Sequence, residues 1–257
     1  MRENGATMEL TAYLIVCPLV FLAGLVDSIA GGGGLISLPA YFLAGIPPHL
    51  SIGTNKLSSS IGTAISTFRF CRNKSVDWGL AVPSIVLALT GSALGAQLAL
   101  LMDEDIMKKI LLVILPIVAF YIFRNKNLKA DVVITPLPRK KLFVIISLVS
   151  FIVATYDGFY GPGTGTFLLL LYTGLGKMDI RIASGNTKLV NLSSNIAALV
   201  TFLINGKILL PLGLTAALFS IAGHFIGSGL VLKNGYKIVK PLILVVLVLL
   251  FISLVKP

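Results

Sequence analysis

The sequence predicts an all-α fold: a polytopic bundle of transmembrane helices built from two homologous repeats, inverted relative to each other, each with a glycine-broken or short helix. Three observations predict it. The 257 residues are 56% hydrophobic and 12% charged, with a mean hydropathy of +0.96, whereas soluble domains carry about 25% charged residues. The apolar residues form long continuous runs, not the alternation of a barrel strand, and helices are the other way to satisfy a backbone in hydrocarbon. The third observation is internal repetition.

The first apolar run, Leu10 to Val26, is a retained span. Arg2 is offset by Glu3 and Glu9, so the charged start of a signal peptide is missing, and the run has a counterpart in Leu142 to Tyr156. Further runs follow at about 35–45, 50–68, 79–101, 106–123, 142–159, 165–175, 189–204, 209–231 and 238–255. Most are long enough for a hydrocarbon core of roughly 30 Å. The runs at 35–45 and 165–175 are too short for an untilted crossing, and each follows a glycine-rich break. They are half-helices or short tilted helices.

The later part of each half repeats at a spacing of 132 residues: Gly53 with Gly185, Lys56 with Lys188, Asn73 with Asn205, Gly91 and Gly95 with Gly223 and Gly227, Lys108 with Lys240. The earlier part needs small gaps, Asp27 matching Asp157 at 130 residues and Gly45 matching Gly174 at 129. Residues 1–123 form the first repeat and 142–257 the second. The segment 124–141 between them is a basic cytoplasmic linker with Pro136 and Pro138. If the short runs cross, the halves are inverted, with fourteen Lys/Arg on one side against five on the other, Lys56 and Lys188 left out. If they do not cross, the halves are parallel and the count is twelve against seven. The positive-inside rule favours the inverted arrangement. A hairpin of half-helices gives the same parity.

The net charge of +11 sits in the connections, as positive-inside topology requires, and does not point to nucleic acid. Cys17 and Cys71 have neither disulfide nor metal spacing. No catalytic set, metal cluster or cofactor motif is present, and the glycine run does not follow a strand as a dinucleotide fingerprint does. Small residues at Gly91, Ser92 and Gly95, and at Gly223, Gly227, Ser228 and Gly229, let helix backbones approach closely. Gln97 and His224 on the same runs read as satisfied interhelical hydrogen-bonding groups.

The candidate site lies at the breaks. Asp27 precedes Gly31-Gly32-Gly33-Gly34, and Asp157 precedes Gly161-Pro162-Gly163-Thr164-Gly165. A helix that stops and restarts exposes unpaired N–H groups at a positive dipole end, which suits an anion. Broken helices in matching positions of two repeats mark a transporter's binding site. The alternative is glycine serving close packing alone. Gly32, Gly33, Gly34, Gly163, Thr164 and Gly165 are the candidates. Some twenty residues on come Thr54-Asn55-Lys56 and Asn186-Thr187-Lys188, further candidates for substrate binding, with Thr54, Asn55, Asn186, Thr187 and Thr164 as neutral donors suited to an oxyanion. A lysine inside a membrane helix costs about 2.5–3.5 kcal/mol on insertion scales and normally turns inward to a partner. Ser59 and Thr63 share the helical face of Lys56, and Asn191 and Asn195 that of Lys188. Each half therefore has a polar stripe headed by a lysine, unless the lysines snorkel to the interface. Asp27 and Asp157 are candidate lysine partners and proton-coupling groups, or else helix-end caps.

At these residues the chain resembles the sulfite exporter TauE/SafE family of membrane permeases. The resemblance rests on Gly31–Gly34, Pro39, Gly45-Ile46-Pro47-Pro48, Gly53-Thr54-Asn55-Lys56 and Gly91-Ser92-Ala93-Leu94-Gly95-Ala96, with both halves repeating the theme. The second half departs from it at Pro162, Thr164 and Asn186-Thr187, so the half-sites are unequal. The resemblance implies a multi-pass protein of the cytoplasmic membrane, carrying sulfite or an organosulfonate and needing no cofactor. The expectation is a secondary transporter of a small anion, held between the repeats and exposed alternately as one repeat rocks against the other. Its partners are the anion and membrane lipid, with a homo-oligomer left open. An anion channel and a membrane scaffold or intramembrane enzyme remain the alternatives.

Overall fold

The computed structural model describes residues 2–103, 106 and 137–234. The expected runs at 106–123 and 238–255, the Lys108/Lys240 match and most of the 124–141 linker lie outside the described residues. The described residues contain eight helices and no strand: α1 Arg2–Ala30, α2 Gly34–Leu43, α3 Pro48–Arg72, α4 Trp78–Leu100, α5 Arg139–Phe159, α6 Thr164–Gly174, α7 Ile180–Ile204 and α8 Leu210–Asn234. Five of them, α1 from Leu10, α4, α5, α7 and α8, are long and apolar enough to cross a membrane. This is a multi-pass membrane protein.

Two helices run beyond their sequence reading. The apolar run expected at 189–204 is the second part of α7, which starts at Ile180 where Asp179 accepts hydrogen bonds from the amides of Arg181 (2.9 Å) and Ile182 (3.4 Å). Polar residues of its first turns hide the helix from a hydropathy reading. α3 has 25 residues, about 37 Å at the α-helical rise. It contains the run expected at 50–68 and extends it at both ends, with Ser, Thr, Asn and Lys on its buried face. Pro47 and Pro48 open it, where a missing N–H costs nothing.

The outward faces show where lipid lies. Val82, Val86, Leu94 and Leu98 on α4, Val144, Leu148 and Ile152 on α5, and Leu214, Leu218 and Phe225 on α8 are exposed at helical spacing. The polar faces of α3 and α7 meet in the interior.

Helix packing exchanges elements between the halves. α4, the last described helix of the first half, packs on α5 and α7 of the second, and α8, the last described helix of the second half, packs on α1 and α3 of the first. The close crossings use the small residues. A Cβ on Gly91 would stand 2.6 Å from the Phe151 carbonyl, and one on Gly95 would strike that of Thr155. At the matching crossing, a Cβ on Gly223 would strike the Phe21 carbonyl and one on Gly227 would stand 2.5 Å from that of Leu25. α1, α2, α3 and α8 thus form one packing unit, and α4, α5, α6 and α7 the other, joined along α3 and α7.

Candidate functional site

The helix breaks meet. α1 stops at Ala30 and α2 restarts at Gly34; α5 stops at Phe159 and α6 restarts at Thr164. The amide of Thr166 donates to the Gly31 carbonyl (3.1 Å), and its hydroxyl donates to the Ala30 carbonyl (2.8 Å). Gly31 has φ +80°, and any Cβ there would collide with the backbone of Gly165. Glycine is required on both counts.

Beside this contact lies a cavity of about 30 Å³, room for water or the polar part of a small ligand. Its lining includes Asp27, Gly31, Gly33 and Gly34 from the first break and Asp157, Gly161, Thr164 and Gly165 from the second. Asn55, Lys56, Ser59 and Thr63 of α3, Asn191 and Asn195 of α7, and His224 of α8 complete the polar wall. The first predicted stripe therefore reaches this space whole, and the second through Asn191 and Asn195; Lys188, which heads it, is not part of the lining.

The ion pairs cross between the halves. Lys56 Nζ of α3 lies 2.7 Å from Asp157 Oδ2 of α5 and donates to Asn195 Oδ1 of α7 at 3.1 Å. Lys188 Nζ of α7 lies 3.6 Å from Asp27 Oδ2 of α1 and donates to the Asp27 backbone carbonyl. The side chains of Lys56 and Lys188 are 2% and 3% exposed, and those of Asp157 and Asp27 are 3% and 13%. Neither lysine snorkels to an interface; both point into the protein.

Both carboxylates take further hydrogen bonds. Ser194 donates to Asp157 Oδ2, and its own carbonyl accepts from Ser92 at 2.6 Å. Asp27 Oδ1 accepts from the Gly33 amide at 3.2 Å, which places this carboxylate over the start of α2, where the dipole favours negative charge. Asp27 Oδ2 also lies 3.3 Å from His224 Nε2. The half-sites are unequal here: His224 meets the Asp27 carboxylate directly, whereas Ser92, 132 residues before it, bonds the Ser194 carbonyl and leaves the contact with Asp157 to Ser194.

The Gly-x-x-Lys boxes perform linked tasks. Gly53 and Gly185 let the opposite half's connection pass, since a Cβ there would strike the carbonyls of Lys207 and Ser75 respectively. Thr54 Oγ1 accepts from the Leu209 amide (3.0 Å) at the entry to α8, and Asn186 Oδ1 accepts from the Asp77 amide (2.9 Å) at the entry to α4. Both hold the other half's fourth helix, and neither lines the cavity. Asn55 does line it; its counterpart Thr187 is buried, with no hydrogen-bond partner for Oγ1 among the described residues. Gly32 and Gly163 belong to the breaks but not to the cavity lining. Gly163 has φ +81° at the start of α6.

Sequence reasoning treated His224 as a hydrogen-bonding group alone, and the structure puts it in the cavity wall on Asp27. The signal available was its position within the repeated small-residue box. Partner identity was not legible, because helical spacing defines a face but not what it meets.

Known proteins give the same assignment. Residues 16–254 match the family described as "Sulfite exporter TauE/SafE". A "Probable membrane transporter protein ORF9" from Sinorhizobium sp is 36% identical over 247 residues, covering 96% of this chain and 92% of its own length. A "Probable membrane transporter protein" of Haemophilus influenzae is 33% identical over 228 residues, covering 88% and 87% respectively. "Probable membrane transporter protein YfcA" of Escherichia coli strain K12 is 32% identical over 248 residues, covering 95% and 91%. No solved structure matches the chain. With broken helices, buried ion pairs and a match over most of its length, the chain belongs to the TauE/SafE sulfite exporter family of membrane transporters.

Proposed function

We propose that this protein is a secondary transporter that carries sulfite or an organosulfonate across the cytoplasmic membrane by alternating access. The observation that carries the reading is the convergence of both helix breaks and the cross-paired Lys56 on one polar cavity. Lys56, already held by Asp157, would share its charge with the arriving oxyanion, and Lys188, behind the lining, would act through Asp27. The N–H groups of Gly34 and Gly165, with Asn55, would supply neutral donors, while the Gly33 amide stays on Asp27 and the Thr164 amide on the Gly161 carbonyl. Thr54 and Asn186 would act from behind, by holding the entries to α8 and α4 in place.

The packing bears on which parts would move. Each sequence half shares its fourth helix with the other, so the halves could not rock as separate bodies. The units able to shift are α1–α3 with α8 and α4 with α5–α7, along the α3–α7 seam.

The test is exchange of labelled sulfite, and of methanesulfonate, across proteoliposomes. Saturable exchange is expected. Lys56→Gln with Asp157→Asn removes both charges while keeping the site neutral, and exchange should fall about thirtyfold or more, the scale of losing one partner in a buried charged contact. Exchange of neither anion by the wild type, or unchanged exchange in the double variant, sinks the reading.

A further inference from the structure

The charges around the cavity balance before any ligand arrives. Among the described residues, Lys56 is paired with Asp157 and Lys188 with Asp27. Two cations meet two anions. A monoanion entering this buried setting leaves one negative charge uncompensated, and an unpaired buried charge costs several kcal/mol. Binding is therefore favoured if a proton arrives with it.

His224 is placed to receive that proton. Its Nδ1 lies 3.0 Å from the Ser220 carbonyl, an acceptor only, so Nδ1 bears hydrogen. Its Nε2 faces two groups, Asp27 Oδ2 at 3.3 Å and Thr63 Oγ1 at 3.4 Å. A neutral ring takes the Thr63 hydroxyl proton at Nε2. A protonated ring donates from Nε2 to the Asp27 carboxylate. Both states are thus satisfied without moving the helix. The charged groups facing this position are Asp27 from α1, Lys188 of α7 reaching that same carboxylate, and Lys56 of α3 across the cavity. Arg69 of α3 lies one residue along, against Phe225. Histidine is the side chain whose charge ordinarily changes across the physiological pH range. The matched position in the other half is Ser92, which has no such capacity.

Resting on the transport reading above, we infer that His224 is the coupling residue. It takes up one proton as a monoanion binds and releases it when the anion leaves, making transport electroneutral proton–anion symport. The proton adds to Nε2 from water on the anion's side, no bond in the anion changes, and the same proton returns to water on the other side. Asp27 positions the ring.

Methanesulfonate is the probe, since it stays a monoanion and brings no proton of its own; sulfite serves in parallel, comparing wild type with variant. In wild-type proteoliposomes a pH difference of one unit should sustain about tenfold accumulation, the ratio that one proton per anion permits. His224→Gln should exchange the anion more slowly than the wild type and accumulate none above equilibrium. Tenfold accumulation in His224→Gln, or exchange in the wild type with no response to the pH gradient, overturns the inference and leaves anion transport standing. Absence of exchange in the wild type overturns the transport reading and this inference with it. A measurement that needs no change at His224 uses His49→Gln, which leaves His224 the sole histidine of the chain's two. Its imidazole nitrogen resonances should move from the neutral to the doubly protonated pattern when methanesulfonate is added near neutral pH, and unchanged resonances overturn the assignment.

Discussion

At the scale of single residues, burial decides which ion pair matters. Lys56–Asp157 is almost inaccessible to water, while Asp77–Arg139 bridges the starts of α4 and α5 near the surface, with Arg139 58% exposed. Breaking a buried pair from one side costs about 3–5 kcal/mol, because the other charge is stranded. An exposed pair contributes less than about 1 kcal/mol. Asp157→Asn should therefore lower thermal stability in detergent far more than Asp77→Asn, and Lys56→Gln added to Asp157→Asn should recover much of the loss; equal effects of the two aspartate variants would refute this. The Arg139 hydrogen bond holds the Asp77 carboxyl below its usual range. The unfolded chain then binds that proton more readily than the folded one. The contribution is present above the unfolded carboxylate's range and disappears as pH falls through the folded value, so Asp77→Asn should flatten only the acid limb of the stability profile.

At the scale of elements, glycine does the work that hydropathy cannot show. The breaks at Gly31–Gly34 and Gly161–Gly165 were legible because interruptions in lipid are costly and these two recur in matching places. The small-residue boxes were legible as close crossings, though not as crossings between opposite halves. The start of α7 was not legible, since Arg181, Ser184 and Asn186 interrupt the apolar run, and only the fold shows that Ser184 and Asn186 are buried. Thr54 and Asn186 were read as donors toward a ligand, and the structure engages both on backbone amides of the following fourth helices. A side chain larger than glycine at position 95 must push α4 off the Thr155 carbonyl. Gly95→Val is expected to cut the yield of monodisperse protein on size exclusion, while Leu94→Val on the lipid-facing side of α4 should leave it near wild type; a normal elution profile for Gly95→Val would remove the crossing from the account.

At the scale of the whole molecule, the exchanged fourth helices predict how the chain tolerates division. A fragment covering residues 1–123 and one covering 142–257 should each be degraded when expressed alone, since each lacks the helix that completes its packing unit. Expressed together, they should copurify; a stable, monodisperse single fragment contradicts the interleaved packing. The crossed ion pairs carry a further consequence, for ancestry and not for any one molecule. Each half's lysine is neutralised by the other half's aspartate, so neither copy of the duplication could drift on its own. Losing Lys56 in some descendant leaves Asp157 stranded, and a second substitution must follow on the far side of the linker. Across related genes, positions 56 and 157 should change together, as should 27 and 188, while 27 with 56 and 157 with 188 vary independently.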